Sequence, residues 1–140
     1  MRFWDTSALI PLIVGESQSA AMEALYFDDP DLIVWWATRV EIQSALARRK
    51  HSGDTQLNLE EALAQRDDLM ARAREVSPSE SVRGLAERLV TEHRLRAADA
   101  LQLAAALVVQ DHLERPLLFV TLDVRLGQAA RAEGLQVLGL

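Results

Sequence analysis

A helix that is apolar on every side cannot lie on a protein surface, and residues Leu95–Val109, LRAADALQLAAALVV, spell one. It has to be enclosed by other elements, which demands a layered fold around it. Asp99 stands near its start, with only Arg96 and Gln102 as polar neighbours at helical spacing. A carboxylate in such surroundings loses hydration and is rarely left without a partner. One reading is structural: an acid favoured by the positive end of the helix dipole. The other is functional, and the rest of the chain bears on the choice.

Two continuous apolar runs rich in β-branched and aromatic residues, Leu32–Trp36 and Leu117–Thr121, predict strands buried on both faces. Arg2–Asp5 and Leu135–Leu138 predict two more, and Glu75-Val76 leaves room for a brief fifth. Helices are expected between them. A short one starts at Ser7, bends at Pro11 and ends near Gly15. The next starts at Ser17 or Ser19, with Ala20, Ala21, Ala24 and Leu25 as its apolar face. Thr38-Arg39-Val40-Glu41 matches a capping box that opens a helix to about Lys50. Asn58 caps another, whose inner side carries Ala62, Leu63 and Met70, and Ser77-Pro78-Ser79 starts one running to about Glu92. Leu122–Ala132 is helical and ends at Gly134. Strands alternating with helices predict an α/β fold, a central parallel β-sheet flanked by α-helices, in a single domain over residues 1–140.

Four acids fall at one edge of that sheet. Asp5 closes the first strand, Glu41 lies in the first turn after the second, and Asp123 follows the Leu117–Thr121 strand by two residues. Ligands bind at the carboxyl edge of open parallel sheets. Asp99 joins the other three if its helix begins at the same edge. Each acid also has a bland role: Asp5 and Asp123 as N-caps, Glu41 as the N3 member of the capping box. Four converging carboxylates repel one another and need protons or cations. All-oxygen ligation suits Mg²⁺ or Mn²⁺ rather than Zn²⁺, and such cations at a strand edge suit phosphodiester hydrolysis. Thr6, Ser7 and Thr121 add hydroxyls able to orient the carboxylates or a water. His51, His93 and His112 show no ligand spacing and read as surface residues.

Composition removes other classes. A net charge of −6 argues against gripping nucleic acid by bulk charge. Without cysteine there are neither disulfides nor thiolate metal sites. The apolar runs are too short to span a bilayer, and MRFWD meets an acid before a signal region forms, so a cytoplasmic protein without membrane contact is expected. An aspartyl-nucleophile phosphatase wants a second Asp where Ser7 stands. A phosphoacceptor receiver wants a Lys after a late strand, and Lys50 is the only Lys. The glycines form neither a P-loop nor a GxGxxG turn.

Asp5-Thr6-Ser7-Ala8-Leu9, Glu41 within VEIQSAL, Arg96-Ala97-Ala98-Asp99-Ala100 and Thr121-Leu122-Asp123-Val124-Arg125-Leu126 stand in the order found in PIN domains. Across its whole length the chain resembles the VapC-type toxins of toxin–antitoxin pairs. The resemblance implies a Mg²⁺-dependent endoribonuclease, leaving a 5′-phosphate and a 3′-hydroxyl, and a cognate antitoxin that blocks the site. It implies Asp5, Glu41, Asp99 and Asp123 as the acidic quartet, with Asp5 and Asp99 as metal ligands, and a homodimer. Two other readings stay open: a PIN nuclease of housekeeping RNA processing, and an RNA- or protein-binding module whose acids only cap helices. A partner is expected across the N-terminal helices and the cleft, where Pro11, Leu12, Ile13, Val14 and the following helix offer surplus apolar surface.

Overall fold

In the computed structural model, which describes residues 1–140, five strands form one sheet: β1 (Arg2–Trp4), β2 (Leu32–Trp35), β3 (Arg74–Val76), β4 (Leu118–Val120) and β5 (Gln136–Leu138). Their order is β3-β2-β1-β4-β5, and every neighbouring pair is parallel. The chain moves outward from β1 through β2 to β3, then crosses to the other side for β4 and β5. The direction of winding therefore reverses between β1 and β4. At that point the connections leave the sheet on opposite faces and open a crevice at the carboxyl edge.

Strand alternation divides the core. Trp4, Leu32, Val34 and Val120 face one side, covered by α1 (Thr6–Ile13), α2 (Ser19–Asp28), α3 (Thr38–His51) and α4 (Leu59–Met70). Phe3, Ile33, Trp35 and Phe119 face the other, under α5 (Glu80–His93), α6 (Ala97–Gln110) and α7 (Val124–Ala132). Phe3 and Phe119 stack across the β1–β4 pair, 5.5 Å between ring centroids and 11° from parallel. Helix α6 is the all-apolar element: Ala100 and every residue from Gln102 to Leu107 are buried, as its composition demands.

Caps set the helix ends. Asn58 and Ser79 accept from the backbone N–H three residues on, starting α4 and α5. Gly134 (φ 91°) ends α7 in the left-handed conformation, with Leu135 N–H returning to the Ala130 carbonyl. Gly139 (φ 100°) closes the β5 end so tightly that a Cβ there would lie 2.6 Å from the Thr121 carbonyl oxygen.

Three expectations are corrected. Thr38 does not cap α3: Ala37 is the N-cap, without a side-chain bond, and Thr38 is the first helical residue. Both polar side chains of the supposed capping box turn inward, where stronger partners wait. In α2 the buried residue is Met22, and Ala20, Ala21 and Ala24 are exposed. The bulkier Met, Leu25 and Tyr26 win the inner face because they remove more apolar area from water. His93 is half-buried, its Nε2 2.7 Å from Glu133 Oε1, whereas His51 and His112 are exposed.

Candidate functional site

Asp5 leaves β1 at the crevice and caps α1 (φ −75°, ψ 154°). It is only 4 % exposed. Its Oδ2 accepts from Ser7 Oγ (2.5 Å), Ser7 N (3.2 Å) and Thr121 Oγ1 (3.0 Å). The two hydroxyls in turn accept from the backbone beyond β4: Leu122 N–H binds Ser7 Oγ at 2.9 Å and Asp123 N–H binds Thr121 Oγ1 at 3.0 Å. Each hydroxyl donates once and accepts once, so the β1–α1 and β4–α7 corners are tied through one carboxylate oxygen. Even so, burial holds the Asp5 carboxyl above its ordinary value, and the charge of Asp99 adds to the rise.

Glu41 reaches the site from the first turn of α3. Its Oε2 accepts from Thr6 Oγ1 (2.9 Å) and from Gln102 Nε2 (3.2 Å), leaving Oε1 without a hydrogen bond. Burial raises its proton affinity, with Asp5 and Asp99 contributing repulsion. Asp99, in the first turn of α6, is half-buried and carries no capping bond. Its carboxyl is raised by burial and then by Asp123. Asp123 caps α7, its Oδ1 accepting from Leu126 N at 2.9 Å. Its capping role and its place in the crevice coexist, since Oδ1 alone makes the cap.

The acids thus gather at one crevice: Asp5 and Glu41 feel the charge of Asp99, and Asp99 feels that of Asp123, which lines the same cleft. No Lys or Arg lies within 4 Å of any of the four carboxylates. Thr6, Ser7 and Thr121, expected as orienting hydroxyls, bond to the carboxylates directly. The donor set is oxygen only, carries uncompensated negative charge and so fits a hard divalent cation. No three of the four offer oxygens within 4.8 Å of one another; the one group that does is Glu92, His93 and Glu133, outside the crevice. There Arg88 already supplies the positive charge, donating to Glu92 (2.6 Å) and to both oxygens of Glu133 (3.0 and 2.8 Å). With His93 added, Glu133 is held down at about 2. Nothing local in the sequence joins Glu133 to a helix 40 residues earlier.

One site residue escapes the sequence reading. Gln102 reads there only as a polar neighbour of Asp99, yet it is fully buried one turn along α6. Its Nε2 lies 3.0 Å from Thr6 Oγ1, 3.0 Å from Thr38 Oγ1 and 3.2 Å from Glu41 Oε2. An amide in the apolar interior of this helix, three residues after its acid, is the signal that marks it: the amide must find partners inside the fold. Replacing Gln102 by Leu removes the donors and leaves Glu41 buried against an apolar group. The expected outcome is a folded protein with activity about ten- to a hundredfold lower, and partial recovery in Gln102→His, which restores a donor. Activity in Gln102→Leu equal to that of the unaltered protein would show that Glu41 needs no such support.

Comparison with known proteins places these features. The PIN domain profile matches residues 2–132. The chain is 33 % identical over 137 residues to ribonuclease VapC45 of Mycobacterium tuberculosis, covering 96 % of this chain and 92 % of that one. Among solved structures it is similar to PAE2754 from Pyrobaculum aerophilum, with TM-score 0.71 and 18 % identity over 97 % of this chain and 89 % of that one. It is also similar to VapBC2 from Rickettsia felis, solved with a DNA fragment from its promoter, with TM-score 0.67 and 14 % identity over 98 % of this chain and 96 % of the other.

Proposed function

Because the chain belongs to the PIN-domain family, we propose that it is a divalent-metal-dependent endoribonuclease, the toxin of a toxin–antitoxin pair, with Asp5, Glu41, Asp99 and Asp123 as its working acids. The observation that carries the reading is the convergence of four carboxylates from β1, α3, α6 and the β4–α7 corner on the crevice where the sheet reverses direction. Asp5 and Asp99 would hold Mg²⁺, with Mn²⁺ as the alternative. When bound, such a cation neutralises phosphate charge and makes hydroxide available near neutral pH.

The chain's own residues do the rest. Ser7 and Thr121 fix one oxygen of Asp5 and leave Oδ1 for a ligand. Thr6 and Gln102 fix Glu41 in the same way, through Oε2. Its unengaged Oε1 and raised proton affinity suit Glu41 to take a proton from attacking water. Asp123 lines the same cleft as Asp99, and only its Oδ1 is engaged in the α7 cap.

The antitoxin reading rests on the face opposite the core side of α2. Ala20, Ala24 and Phe27 follow one another at helical spacing, all are exposed, and Phe27 is 77 % so. Beside it runs a cleft of about 540 Å³ whose walls mix Leu12, Val14, Tyr26 and Leu69 with Glu23, Asp68 and Arg72. Pro11 and Ile13 themselves pack inward, so less of α1 is left for a partner than its composition suggests. An amphipathic helix from the antitoxin fits such a groove through spaced apolar anchors. No helix of the structure is long and apolar enough to cross a membrane.

The experiment is RNA cleavage by purified protein with Mg²⁺ or Mn²⁺. Cleavage is expected with metal, none with chelator, and the fold is expected to survive chelation because its core is apolar and complete without a metal. Asp111→Asn, at the far end of α6 and exposed, serves as the control and should cleave normally. Metal-independent cleavage, or none under any condition, would defeat the proposal.

A further inference from the structure

Beside the acids lies a cleft of about 230 Å³ whose walls are Leu95, Arg96, Asp99, Asp123 and Arg125. Two guanidinium groups and two carboxylates share it, yet no ion pair within 4 Å joins them. Seven of the chain's fourteen arginines are held in ion pairs with Asp or Glu, and these pairs use acids outside the quartet. Arg96 and Arg125 stand near enough for their charges to act on Asp99 but are kept off it. Arg125 is tethered instead: its Nη2 donates to the Arg94 carbonyl at 3.0 Å. Arg94 is the one non-glycine residue in the left-handed region, at φ 54°, where α5 ends. Arg96 occupies the N-cap position of α6 without spending its side chain on the cap.

Separated charges of both signs, each left unneutralised and facing one small opening, complement a ligand that also carries both. A cation bonded to a phosphate is such a ligand, with the cation on the carboxylate side and the phosphate oxygens on the guanidinium side. A guanidinium presents planar paired donors that match phosphate oxygens, and two of them grip an anion that four carboxylates would otherwise repel. We propose that Arg96 and Arg125 form the subsite that binds a backbone phosphate of the RNA strand, next to the bond being cut. The proposal rests on the ribonuclease reading. It accounts for how an acidic chain of net charge −6 admits a polyanion at its most acidic point.

The test is binding of a short fluorescent RNA by anisotropy at several salt concentrations, in an Asp99→Asn background that blocks cleavage. Arg96→Ala and Arg125→Ala should each weaken binding about five- to tenfold. Each should also reduce the slope of log affinity against log salt by about 0.7, the value for one phosphate no longer neutralised on a single strand. Arg125→Lys keeps the charge without the paired donors, so it should retain the slope while losing part of the affinity. Arg131→Ala, exposed on the last turn of α7 and outside the cleft, should change neither. A change in folding alone would not alter the salt slope. If the unaltered protein cleaves RNA while Arg96→Ala and Arg125→Ala bind as Arg131→Ala does, the subsite is overturned and the nuclease stands. If the unaltered protein does not cleave RNA, the nuclease reading fails and the subsite with it.

Discussion

Replacing Asp99 by Asn leaves a folded protein whose RNA cleavage falls by roughly a thousandfold, the scale on which removing one preorganised charge from a reaction site acts. Shape is kept, and no hydrogen bond of the Asp99 carboxylate is lost, because it makes none. Stability should move the other way. Burial and Asp123 hold the Asp99 carboxyl above its ordinary value, so ionising it opposes folding. Its favourable contribution is complete below about pH 4, the value of a free carboxylate, and is lost as pH rises through the raised value. Asn has no such loss. With chelator present, Asp99→Asn should therefore melt above the unaltered protein at pH 7, and the gap should close as pH falls to about 4. Cleavage and melting both unchanged by the substitution would place Asp99 outside the site.

Phe119→Ala should lower the unfolding free energy by about 3–5 kcal/mol, measured by chemical denaturation. Phe119 and its stacking partner Phe3 are both fully buried. The loss is a large part of the ~5–15 kcal/mol that holds an ordinary domain folded. It falls where the sheet carries the site, since this pair sets β1 against β4, the strands from which Asp5 and Thr121 emerge. Phe119→Leu keeps much of the volume and should cost clearly less. Equal denaturation midpoints for Phe119→Ala and the unaltered protein would mean that the stack does not hold these strands together.

Much of the architecture was legible because period and composition speak locally. LIVWW and LLFVT could only be strands covered on both faces, and the all-apolar run around Asp99 could only be enclosed. The carboxyl edge followed for Asp5, Glu41 and Asp123 from their places just after strands of a parallel sheet, while the company of Asp99 depended on where its helix began and on the family resemblance. What stayed hidden depended on partners distant in sequence. Thr38 and Glu41 fit the capping-box pattern, yet Gln102 and Thr6 draw their side chains away from the backbone. The pull of Glu133 on His93, and the choice of Met22 over the alanines of α2, were likewise decided by packing. The charges of Arg96 and Arg125 were visible as letters, but not that they face a cleft unpaired.

The hydroxyl tie between the two corners has a consequence in time. Its bonds join residues 115 and 116 positions apart, and the amide that steadies Glu41 comes from 96 positions after Thr6. While the chain is being made, Asp5 leaves the ribosome long before Thr121. At about 5–20 residues per second the interval is roughly 6 to 23 s. Throughout it the Asp5 carboxylate lacks the Thr121 donor and Asp123 does not yet exist. A nascent chain consequently lacks the full set of four proposed acids until only α7 and β5 remain to be synthesised. Premature termination upstream of Thr121 yields a fragment without Asp123 or the Thr121 donor to Asp5, whatever part of the sheet it manages to form.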